Sequence, residues 1–168
     1  MKRRAFVGVA AGVAAFAATA TLALRDDFAA TDARIDGIAC EKSEQMLFHI
    51  HAHLTIVVRG IAQQVPAGIG IGSPRSCFSR LHTHAADGIV HVESPIARTY
   101  TLGNFFDVWG QRLDRTHVGP AHGRVIAFVD GRVVAGNPRR IPLLAHAQIQ
   151  LEVGRPLVAQ ARAPEYAP

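Results

Sequence analysis

The stretch FHIHAHLTIVV, residues 48–58, constrains this chain more than any other part of it. Apolar Phe48, Ile50, Ala52, Leu54, Ile56 and Val58 alternate with His49, His51, His53, Thr55 and Val57, and Arg59 continues the second set. Period two sends alternate side chains to opposite sides of a β-strand. The pattern therefore predicts a strand with one apolar face and one face carrying three histidines. On a strand, alternate residues lie about 6.6 Å apart and the first and third of such a trio about 13 Å apart. Two neighbouring imidazoles can converge on one ion, but His49 and His53 should not hold the same one. The third belongs to a second site or supports the ligands from outside. His51 can pair with either neighbour, so it is the single residue expected to matter most.

A second group follows in LHTHAADGIVHVE, residues 81–93. It supplies His82 and His84 as one H-x-H pair and His91 and Glu93 as an H-x-E pair, with Asp87 between them in a turn it could simply cap. If the two strands are neighbours, all these side chains can meet on one face. One H-x-H alone is more often a solvated strand face than a ligand set. Six histidines in three alternating clusters within 45 residues are hard to ascribe to chance, and they predict a metal site of His49, His51, His53, His82, His84, His91 and Glu93. Imidazoles with one carboxylate suit Zn²⁺, Cu²⁺ or non-haem Fe²⁺, with zinc or copper favoured. The lack of thiolate and scarcity of Met disfavour a Cu(I) site. The other three of the nine histidines, His117, His122 and His146, are expected to be structural or exposed.

The remaining pattern predicts an α+β fold. Arg59-Gly60 reads as a tight turn before a return strand in IAQQVPAGIGI, and GIVHVES alternates again until Pro95. In TYTLGNFFDVWGQRL the period changes: Leu102, Phe105, Phe106, Trp109 and Leu113 fit one face of a helix capped by Thr101, which Gly103 and Gly110 should weaken. Residues 114–123 read as a loop, RVIAFVDGRVV as a hairpin around Asp130-Gly131, and AQIQLEVG as a last strand. Strands, one helix, then strands predicts a small, mainly antiparallel sheet with one packed helix, and a β-grasp-like arrangement is one such fold.

The N-terminus reads as a targeting segment. Lys2, Arg3 and Arg4 precede an uncharged run from Ala5 to Leu24, about as long as the roughly 20 residues a bilayer span needs. It predicts a cleaved signal peptide or an N-terminal membrane anchor at residues 1–24, partly resembling a twin-arginine signal, with the rest of the chain exported to the periplasm or the extracellular face. A linker at 25–34, a histidine-rich domain at 35–158 and a disordered tail at 159–168 complete the expected organisation. In an oxidising compartment the two cysteines, Cys40 and Cys77, read as one disulfide enclosing the histidine strand. The alternatives are free thiols or metal ligation, and neither cysteine stands in a C-x-x-C pattern. Net charge is +5, but the basic residues are scattered, so no nucleic-acid partner is expected.

Taken together, GIAC, FHIHAHL, LHTHAADGIVHVESP and TLGNFFDVWG resemble a group of uncharacterised exported bacterial and archaeal proteins. These share H-I-H-x-H-L, L-H-T-H-D-x-x-G-I-[IV]-H-[IV]-E-S-P and T-L-G-x-F-F-D-x-W-G motifs and a pair of cysteines. The resemblance covers about residues 37–156. It implies a secreted or anchored domain with a metal site and brings no known activity. Where the group has Asp after the second H-x-H, this chain has Ala85, so any role of that Asp is lost or has passed to Asp87. Cupins and carbonic anhydrases also hold a metal with H-x-H on a strand, an analogy limited to that one motif. Three classes of function remain: an extracytoplasmic metal-binding protein; a metal-dependent hydrolase or oxidoreductase with Glu93 as candidate general base; and a protein-interaction module.

Overall fold

The computed structural model describes residues 34–72 and 77–160. The expected leader, residues 25–33 of the expected linker and residues 161–168 of the expected tail lie outside the described residues.

Residues Phe48–Val58 form one uninterrupted strand, the spine of a seven-stranded mixed sheet. On one side its first half pairs antiparallel with Ile89–Ser94, and its last residues pair with Ile61–Gln63. On the other side His53–Val58 runs parallel to Gln148–Val153. Val125–Val129 and Arg132–Val134 extend that side, and Leu81–His82 adds a short strand beyond Ile89–Ser94. The fold is thus a small α+β fold with a mostly antiparallel sheet and one α-helix among the described residues. Both expected hairpin turns form. Arg59 and Gly60 have φ of 51° and 80°, and Asp130 and Gly131 have 49° and 78°. Two consecutive positive φ values match the right-handed twist of paired strands.

Register explains where the core sits. Ile149 and Leu151 stand opposite Leu54 and Ile56, while Val90 and Val92 stand opposite Ala52 and Ile50. One face of these three strands is therefore apolar, and it packs in a single cluster with Leu102, Phe105 and Phe106 of the helix Leu102–Trp109. Thr101 caps that helix as expected. Its hydroxyl accepts from the Asn104 N–H at 3.3 Å, and the Asn104 side-chain oxygen accepts from the Thr101 N–H at 2.9 Å. The helix ends earlier than the apolar spacing predicts. Gly110 takes a left-handed conformation (φ 71°) and terminates it, so Leu113 is buried outside the helix, in an isolated bridge to Val118. The expected loop at 114–123 contains a short hairpin of His117–Val118 and Ala121–His122.

A second, three-stranded sheet joins Cys40–Glu41, Cys77–Ser79 and Ile71–Gly72. Cys40 and Cys77 are disulfide-bonded, and Arg80 donates to Glu41 at 2.7 Å. The bridge ties the segment before the long strand to the segment that delivers His82 and His84, and it fits an oxidising, extracytoplasmic environment. Among the described residues no helix is long and apolar enough to cross a membrane.

Gly88 closes the turn between His84 and Ile89. Its φ is 82°, its carbonyl accepts from the Leu54 N–H at 2.8 Å, and a Cβ there would lie 2.5 Å from the Leu54 carbonyl oxygen and 3.0 Å from His53 Nε2. Gly88→Ala is expected to cost on the order of 2–3 kcal/mol, combining a disfavoured φ with a backbone clash. Urea denaturation checks this; an unchanged midpoint would contradict the packing described.

Candidate metal centre

The opposite face of the same strands carries the histidines. His51 stands opposite His91, and His91 stands opposite His82, so three imidazoles form a row across three adjacent strands. One step along, His49 stands opposite Glu93. Parity and register together converge on one patch residues that lie up to 44 positions apart in the sequence. Two sets of donor atoms there could each hold a metal ion: His49, His51 and His91; and His82, His84, His91 and Glu93. Within each set the ligand atoms all lie within 4.8 Å of one another.

Glu93 is the pivot. It is 2% exposed, and its Oε1 lies 3.3 Å from His49 Nε2 and 3.6 Å from both His82 Nε2 and His91 Nδ1. Its Oε2 is buried without a hydrogen-bond partner among the described residues. A buried carboxylate oxygen left unpaired is costly, and buried charges in proteins are paired or bind metals.

The imidazoles are also close to one another. His51 Nε2 lies 3.1 Å from His91 Nδ1, and His82 Nε2 lies 3.2 Å from His84 Nε2. His82 is fully buried, and its Nδ1 lies 2.9 Å from the Ser79 carbonyl oxygen. A carbonyl only accepts, so the proton of neutral His82 is on Nδ1 and the lone pair of Nε2 points at the cluster. This is how a metal-binding histidine is usually fixed in one tautomer.

His53 stands apart. It belongs to neither set, is buried, and donates from Nε2 to the Asp87 carbonyl at 3.0 Å. It holds the Asp87–Gly88 turn against the long strand. Asp87 itself caps that turn, its Oδ1 accepting from the Ile89 N–H at 2.9 Å, and Ala85 in the same turn is exposed. His117 and His122 pair with each other on their own hairpin, with His117 Nδ1 3.1 Å from Asp114. Neither is in a donor set.

Two residues come to the site that the sequence did not single out for it. Glu44 Oε1 lies 3.3 Å from His84 Nε2, on the exposed rim. His146, whose N–H donates to the His51 carbonyl at 2.7 Å, holds a left-handed backbone (φ 62°) and adds its charge to the field on His51. Glu44 lies in a segment without periodicity and His146 just outside a strand, so neither carries a local signal.

The electrostatics follow from burial and crowding. Burial, then the neighbouring His51, His82, His84 and His49, hold the His91 imidazole down to about 3. Burial also lowers His51, reinforced by His49, His146 and His84, and lowers His82 against the opposing Ser79 hydrogen bond. His53 is lowered by burial, with Asp87 opposing. Glu93 is raised, by burial first and then by Glu44, with His84 opposing. The site thus favours neutral imidazoles, the form that ligates.

No protein-family model, curated protein or solved structure matches the chain.

The shifts set a pH dependence for the metal-free chain. On acidification below the ordinary histidine value of 6.5, the unfolded chain binds protons that the folded one excludes, so stability is fullest above that value and is lost as pH falls toward the lowered folded values. Glu93, with its raised value, acts oppositely, and its contribution fades as pH rises through that value. Four lowered histidines outweigh one raised carboxyl. His91 alone contributes a loss on the order of 2 kcal/mol between pH 7 and pH 5. Urea midpoints of the chelator-treated chain are expected to fall over that interval; a flat or rising profile would contradict the cluster's burial.

Proposed function

We propose that this chain is an extracytoplasmic metal-binding protein that takes a divalent ion, zinc or copper, on the histidine face of its sheet. The observation that carries the reading is Glu93, a buried carboxylate with three imidazoles around one oxygen and no partner on the other. A hydrogen-bonded histidine face alone gives no reason to bury a carboxylate at its centre. A cation at that point would pair the buried carboxylate and use the His82 and His91 imidazoles, which burial holds neutral. Nitrogen and oxygen donors without thiolate suit Zn²⁺ or Cu²⁺. The disulfide supports the compartment. The basic and uncharged N-terminal run supports export, either as a cleaved signal or as a membrane anchor through residues 5–24. The motif resemblance to exported proteins points the same way.

Chain purified from export-competent cells is expected to carry metal near stoichiometry and to take up Zn²⁺ or Cu²⁺ after chelation. Elemental analysis finding none, together with no uptake on titration, would refute the reading. The His51→Ala/His84→Ala double variant is expected to lose uptake, while His117→Ala keeps it. Affinity is expected to fall as pH drops and protons compete for the imidazoles, with the loss extending well below the ordinary histidine range because burial holds His51, His82 and above all His91 neutral; an affinity unchanged down to about pH 3 would count against imidazole ligation.

A further inference from the structure

The donors exceed what one ion takes. Five imidazoles and a carboxylate make up the two sets, whereas zinc at a protein site takes four ligands. A single ion would leave at least two of these six donors unliganded within the cluster. Building on the reading of this face as a metal site, we infer that it is a two-ion centre bridged by the Glu93 carboxylate, with one ion on His49, His51 and His91 and the other on His82 and His84.

The assignment follows the distances. Glu93 Oε1 faces both sets, 3.3 Å from His49 and 3.6 Å from His91 on one side and 3.6 Å from His82 on the other. A carboxylate has two oxygens with about four lone-pair sites, so Glu93 has donor capacity for two ions, and its buried Oε2 carries no competing hydrogen bond among the described residues. His91 goes with the first ion because its Nδ1 lies 3.1 Å from His51 Nε2. That nitrogen has one lone pair and gives it to one ion. The second ion takes the lone pair of His82 Nε2, freed by the Ser79 hydrogen bond, with His84 Nε2 3.2 Å away. Glu44, 3.3 Å from His84, completes that side from the rim. The two sets share His91, so they are contiguous, and the ions of two-metal sites in proteins usually lie about 3.5–4 Å apart. His49 and His84 are exposed and the other donors are not, so solvent reaches each ion from one side.

The test is metal stoichiometry on the full chain, followed by electron paramagnetic resonance of the Cu²⁺-loaded form. Two Zn²⁺ or two Cu²⁺ per chain are expected, and the copper pair is expected to show well under half the signal of two isolated ions. His84→Ala, at an exposed position, is expected to bind one ion. Glu93→Gln, nearly isosteric, is expected to lose the coupling and the second ion. One ion per chain with a full-intensity copper signal would overturn the two-ion centre and leave the metal-binding reading standing. Two ions with full signal intensity would overturn the Glu93 bridge. No ion at all would overturn both readings.

Discussion

Cross-strand register is the constraint on which the rest of this structure depends. Because side chains alternate with period two, a one-residue slip of Ile89–Ser94 against Phe48–Val58 would turn His91 and Glu93 into the core and expose Val90 and Val92. The apolar face makes such a slip prohibitive: Val90 and Val92 are fully buried beside Ala52. The hydrophobic core therefore fixes the metal-site geometry from the other side of the sheet. The row of His51, His91 and His82 is as rigid as the packing beneath it, the condition under which a constellation of ligands keeps its shape.

That rigidity has an electrostatic cost. Five imidazoles share one patch, and burial, reinforced by neighbouring histidines, disfavours the charged forms of His51, His82 and His91. Glu93 sits among them with its own charged form disfavoured by burial. Each choice would be poor in a protein selected for stability alone, since an apolar substitute would avoid both penalties. Local departures of this kind collect at functional sites. A bound cation reverses the balance, because it needs neutral imidazoles and an ionised carboxylate. The disulfide, the Arg80–Glu41 pair and the His53–Asp87 contact hold the segments that carry the donors, so they brace the site without joining it.

Much of this was legible in the sequence, for a physical reason. Strict alternation marks a strand, consecutive turn residues at Arg59-Gly60 and Asp130-Gly131 mark hairpins, and Thr101 before an apolar helical spacing marks a cap; all are local codes. The pairing of Cys40 with Cys77 was legible from parity and compartment. The helix end was not, because the apolar spacing carries on to Leu113 while Gly110 stops the backbone. What the sequence could not supply was the transverse arrangement. Spacing along one strand suggested that His51 would pair with a neighbour, and His49 does share its donor set, but the third member, His91, comes from the facing strand, 40 residues away. His53 shares the histidine parity but faces the Asp87 turn, and Glu44 and His146 arrive from segments with no pattern. Non-local pairing set each of these positions.

X-ray absorption at the metal edge of the natively loaded chain tests the central claim most directly. The account expects imidazole scattering from two or three nitrogens per ion at about 2.0–2.1 Å, with a carboxylate oxygen at similar distance and no sulfur. A spectrum dominated by sulfur, or by water oxygens without imidazole, would contradict it.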